Sequence, residues 1–119
     1  CEDIDLATQE YFKSLGYGDA LIHRTGHGIG LGNHEPPWLS AGGNHVLEEN
    51  MIISIEPALY FNDIGGFRHS DTVLVTKNGY ENLTHYPRDL ESLIVKDKRT
   101  LKKIKGAIIR KAVRLDKAK

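Results

Sequence analysis

Between His23 and Glu35 the sequence reads HRTGHGIGLGNHE, with glycine at every second position from Gly26 to Gly32. Glycine in a helix interior costs about 1 kcal/mol relative to alanine, so this run excludes a helix and calls for extended pieces joined by loops. Such a backbone can also approach a metal or a substrate closely. Three histidines, His23, His27 and His34, lie in the same stretch. Imidazole ligates divalent transition metals and carries protons near neutral pH. The spacing does not fit the helical HExxH zinc site. In an extended segment positions 23 and 27 share a side and 34 falls on the other, so His34 joins them only if the chain turns at Gly30 to Gly32.

The flanking sequence supplies a scaffold. Ile4, Ala7, Tyr11 or Phe12, and Leu15 recur at helical spacing, with Asp3 or Asp5 as the cap and Gly16-Tyr17-Gly18-Asp19 as the stop. A short strand is expected over Ala20 to Ile22. Met51 to Ile55 is an apolar, β-branched run expected as a central strand, and Pro57 marks a change of pairing. Glu56 ends that run. A carboxylate among apolar neighbours is unfavourable unless it is paired or ligates a metal, which makes Glu56 a site candidate. Turn residues Asn62 to Gly66 and Lys77 to Gly79 predict a return strand from Phe67 to Thr76 and a third strand from Tyr80 to Thr84. Alternation along the return strand sets Arg68 and Ser70 on one face, and His69 and Asp71 on the other. Arg68 is assigned to substrate binding, whereas His45 and His85 read as structural or surface residues and Trp38 as a packing residue. The fold class is α+β, an antiparallel sheet with packing helices.

Charge divides the chain. From Lys96 onward eleven Lys or Arg face two Asp, a net +9, so residues 1–95 carry −9 in a chain of zero net charge. Leu101, Ile104 and Ile108 among these cations predict a basic amphipathic helix over residues 96–119, appended to a domain of residues 1–95. That helix suits packing on the body or on another subunit better than a nucleic-acid contact. The longest apolar stretch, Met51 to Phe61, is shorter than the roughly 20 residues of a membrane span. One cysteine excludes an internal disulfide framework, and with an acidic opening unlike a signal peptide the expected location is the cytoplasm.

Taken in order, His23 to Glu35, then Leu47-Glu48-Glu49-Asn50-Met51 leading into Ile55-Glu56-Pro57, then Arg68 to Thr76, resemble the C-terminal half of the pita-bread metallopeptidases. The relevant branch is Xaa-Pro dipeptidase, aminopeptidase P and creatinase. The resemblance covers about residues 1–95. It implies a homodimeric metal-dependent hydrolase acting on a proline-containing peptide or small amide. Its dinuclear centre would hold manganese, cobalt, zinc or iron on two aspartates, one histidine and two glutamates. His27 matches the histidine ligand, Glu56 matches the first glutamate, and His34 matches the histidine that contacts the substrate or tetrahedral intermediate. His23 matches the extra histidine of the Xaa-Pro branch. The implied chemistry is metal-assisted hydrolysis, with Glu56 passing a proton to the leaving nitrogen.

Two departures follow from the same comparison. The aspartate ligands belong to an upstream hairpin, so these 119 residues alone are expected to be an inactive part of the catalytic domain. Ser70 stands where the family has its second, bridging glutamate, and Asp71 replaces it only if a bulge near Gly65-Gly66 shifts the register. Ser70 favours a creatinase-like amidinohydrolase as the alternative reading, with a non-catalytic binding module as a third.

Overall fold

The computed structural model describes residues 1–95, so the basic helix expected over residues 96–119 lies outside the described residues. Residues Cys1–His85 form one compact unit, and the second unit begins at Tyr86. Helix α1 spans Glu2–Ser14, and a 3-10 turn follows at Gly18–Ala20. Seven strands come next: β1 Gly26–Gly28, β2 Glu35–Leu39, β3 Ile52–Ile55, β4 Ala58–Phe61, β5 Gly65–Arg68, β6 Asp71–Thr76 and β7 Gly79–Asn82. A short helix, α2, occupies Leu90–Leu93 in the second unit.

The main sheet runs β2-β1-β3-β6-β7 with every pairing antiparallel, and β4 and β5 form a separate hairpin. The expected central position of the Met51 to Ile55 strand is therefore observed. Pro57 does mark the change of pairing, because β3 pairs within the main sheet and β4 starts the hairpin immediately after it. Leu39, Ile53 and Val73 are the buried centre, with Cys1, Ile4, Leu47, Ile55 and Val75 packed around them. One side chain from each of β2, β3 and β6 thus joins the core.

Several expectations are corrected. The helix begins at Glu2 with Cys1 as N-cap, and neither Asp3 nor Asp5 caps it. Asp5 instead turns inward, only 2% exposed, and its carboxylate accepts hydrogen bonds from Thr25 N–H, Thr25 Oγ1, Ala41 N–H and Gln9 Nε2, each at 2.7 Å. Burial disfavours its charge, but these bonds outweigh burial and hold the carboxyl below its usual range. Ala20 to Ile22 is not a strand: Ala20 ends the 3-10 turn, and Leu21, though extended, joins no sheet among the described residues. The return strand is not continuous either. It breaks at His69 and Ser70, so Arg68 belongs to the hairpin while Asp71 opens β6, and alternation does not carry across the break. The β4–β5 ladder runs unbroken from Ala58↔Arg68 to Phe61↔Gly65, without the bulge that would have shifted Asp71.

Gly26 shows how tightly β1 is held. A Cβ there would collide with the backbone carbonyl of Ser54 on β3. Gly26→Ala is expected to destabilise the chain by about 2 kcal/mol or more, at the upper end of overpacking penalties, because the obstacle is backbone and cannot rotate away. Chemical denaturation of the two proteins checks this, and an unchanged midpoint would contradict it.

Candidate metal centre

β1 carries His27 into the middle of the sheet, where it is only 3% exposed. Its Nδ1–H donates to the Gly28 carbonyl at 2.9 Å, because a carbonyl can only accept. That fixes the tautomer of the neutral ring and leaves Nε2 as the outward-facing atom. Nε2 lies 3.3 Å from Glu56 Oε1. Two lone pairs facing each other at this distance require positive charge between them, either a proton on Nε2 or a bound cation. The donor pair therefore fits a divalent ion.

Glu56 is fixed from the backbone outward. Its N–H donates to the Thr25 carbonyl at 2.7 Å, extending the β1–β3 pairing by one residue just before Pro57. Its side chain is 17% exposed, and its second oxygen, Oε2, accepts from Arg68 Nη1 at 3.2 Å. The sequence expectation that this carboxylate must be paired is met twice over.

The turn needed to bring His34 back is present, with bends over residues 30–34. The His34 ring lies 4.1 Å from the His27 ring, centroid to centroid, at a tilt of 38°. Possible ligand atoms of His27, His34 and Glu56 all fall within 4.8 Å of one another. Around this triad sits a second group. Arg68 Nη2 reaches His23 Nε2 at 3.2 Å and the Tyr60 hydroxyl at 2.8 Å. His23 Nδ1–H donates to the Arg24 carbonyl at 2.6 Å, so Nε2 is the acceptor for Arg68. Tyr60 also packs edge-on against His23, with centroids 5.6 Å apart.

The structure thus gathers His23, His27, His34, Glu56 and Arg68, the site residues expected from sequence. Ser70 is an exposed residue whose Oγ lies 3.4 Å from that of buried Ser54, the residue paired with His27 across β1 and β3. Tyr60 was not anticipated. Its signal was available only through the β4–β5 hairpin, which places Tyr60 and Arg68 two residues apart on facing strands. Trp38 lies beneath the Arg24 guanidinium, 4.3 Å from its ring centroid.

Residues 1–77 match the model of metallopeptidase family M24. The Xaa-Pro dipeptidase of Pyrococcus furiosus is 46% identical over 89 residues, which are 75% of this chain and 26% of that protein. The Xaa-Pro dipeptidase of Lactobacillus helveticus is 41% identical over 96 residues, 81% of this chain and 26% of that one. Among solved structures, the Pyrococcus furiosus prolidase superposes with a TM-score of 0.71 at 46% identity, covering 73% of this chain and 26% of that chain. An Xaa-Pro dipeptidase from Bacillus anthracis gives 0.72 at 42% identity, covering 75% and 25%. The chain spans about a quarter of the length of the relatives it matches. The antiparallel sheet agrees with the C-terminal half of the pita-bread fold of these prolidases. By sequence and by structure alike, the chain belongs to metallopeptidase family M24.

Proposed function

We propose that the protein carrying this chain is a divalent-metal-dependent hydrolase of Xaa-Pro peptides. The observation that carries this reading is the pair His27 Nε2 and Glu56 Oε1, two electron-pair donors aimed at one point 3.3 Å apart at the end of a buried strand. His27 and Glu56 would hold the cation, with manganese or cobalt as the first choices. When bound, the cation supplies Lewis-acid polarisation of the scissile carbonyl. Glu56 receives the proton of the attacking water and hands it to the leaving nitrogen. His34, exposed above His27, donates to the oxygen on which charge develops. Arg68 holds the second oxygen of Glu56 and fixes His23 at the rim, where both face the substrate. Assaying Xaa-Pro dipeptides with added Mn²⁺ or Co²⁺, before and after chelation, tests this. Turnover on the order of 1 s⁻¹ that chelation removes is the expected result, and metal-independent turnover would reject it.

Ser70 supports one alternative, a creatinase-like amidinohydrolase, because a neutral hydroxyl stands where the resemblance calls for a bridging carboxylate. Creatine consumed in place of the dipeptide would select that reading. On the peptidase reading, Ser70→Glu is expected to raise metal affinity about tenfold, the low end of what a well-placed carboxylate contributes. Calorimetric titration with Mn²⁺ measures this directly, and equal affinity in the two proteins would show that position 70 does not face the ions.

A further inference from the structure

We propose that Glu35 is a positioning residue whose carboxylate clamps the turn beneath His34 and keeps that ring over His27. The β1–β2 ladder pairs His27 with Trp38 and then Gly28 with Glu35, so Pro36 and Pro37 have no counterpart on β1 and the register slips beside the site. The chain from Ile29 to His34 is therefore an excursion with both ends tied into one sheet. Glu35 Oε2 accepts the Gly32 N–H at 2.7 Å, and Glu35 Oε1 lies so close to Gly30 that a Cβ there would collide with it. The carboxylate thus fills the inner side of the turn, next to the Gly30 N–H bond to the Gly32 carbonyl at 3.2 Å.

His34 depends on this support. It is an exposed ring, held by its contact with His27 and by Asn33 Nδ2 at 3.3 Å from its Nδ1. Neither contact fixes the backbone that presents it. Glu35, the next residue, does so through Gly32. This accounts for glycine at positions 30 and 32 on packing grounds, since a side chain at 30 would take the space the carboxylate occupies and one at 32 would crowd Oε2 at 3.2 Å.

The test compares Glu35→Ala, Glu35→Gln and Gly30→Ala in the protein that carries this chain, with its histidines isotopically labelled for NMR. Glu35→Ala removes the clamp. Gly30→Ala expels the carboxylate by filling its space, a cheap displacement because the obstacle is the end of a flexible side chain. Both are expected to move the His34 ring resonances toward those of exposed His85, with the sheet amides unshifted. Glu35→Gln, which keeps an acceptor for Gly32, should restore the original position. An unmoved His34 resonance in both Glu35→Ala and Gly30→Ala overturns the proposal. Shifts that spread through the backbone amides of β1, β2 and β3 also overturn it, because the carboxylate would then support the sheet and not the turn.

The kinetic arm rests on the function proposed above. There Glu35→Ala should lower kcat about 10²-fold, as a displacement near 1 Å at a reacting group does, with little change in KM. A displaced His34 with unchanged kcat would refute the catalytic role given to His34 and leave the clamp standing.

Discussion

His27→Ala is expected to reduce Xaa-Pro turnover by about 10³-fold or more, because a bound metal contributes several kcal/mol to the transition state and ~1.4 kcal/mol corresponds to a factor of ten. The expectation follows from where His27 sits. Its ring is buried, its Nδ1 is tied to the Gly28 carbonyl and its Nε2 has one direction available, toward Glu56. β1 itself offers no replacement for that ring, since Gly26 and Gly28 on either side admit no Cβ. The variant should lose metal and activity together. His34→Ala should behave differently, losing turnover more than metal, because its ring is exposed and is assigned to the developing oxyanion. Metal content measured beside kcat separates the two. Full metal occupancy in His27→Ala, or equal metal loss in both variants, would contradict the roles proposed for them.

Asp5→Ala is expected to cost about 4 kcal/mol of stability, an exceptional value for one substitution, since hydrogen bonds to a charged group contribute about 1.5–3 kcal/mol each and buried donors left unmade add to the loss. Asp5 joins three segments: α1 itself, the approach to β1 through Thr25, and the turn after β2 through Ala41. Thr25 is fully buried, so its N–H and hydroxyl would face no water once the carboxylate is gone. The effect depends on pH in a definite sense. Because the folded chain holds the Asp5 carboxyl below its ordinary range, its contribution is present above about pH 4 and is lost as pH falls through the folded value. Denaturation midpoints of the two proteins should differ most at neutral pH and converge in acid. A gap that widens as the pH falls into the acid range would contradict this account.

The sequence made the site more legible than the scaffold. His23, His27, His34 and Glu56 stood out because each is a polar group in a context that strongly limits its uses: imidazoles between glycines, and a carboxylate ending an apolar strand. The turn that reunites His34 with His27 was required by strand geometry alone. Three features were not legible. Asp5 looks like a cap because an acid in the first turn of a helix often is one, and only the distant Thr25 and Ala41 show that it faces inward. The break at His69 and Ser70 is invisible in a run that reads as one strand, because the partners on its two sides lie in different sheets. Ala20 to Ile22 has strand composition, but among the described residues no strand pairs with it and Ala20 closes the local 3-10 turn. For Asp5 the deciding partners are far away in sequence, whereas for Ala20 the decision is local.

The separation of the β4–β5 hairpin from the main sheet has a mechanical consequence. His27 and His34 are carried by the main sheet and its turn, whereas Tyr60 and Arg68 are carried by the hairpin. Glu56 occupies the joint between them, its Oε1 toward His27 and its Oε2 toward Arg68. Among the described residues no strand pairing crosses that joint, which is bridged by the His69 N–H to the Pro57 carbonyl at 3.4 Å and by the Arg68–Glu56 pair. Any displacement of the hairpin therefore reaches both the Glu56 carboxylate and His23 through the same planar guanidinium, so the rim and the candidate ion-binding oxygen move as one.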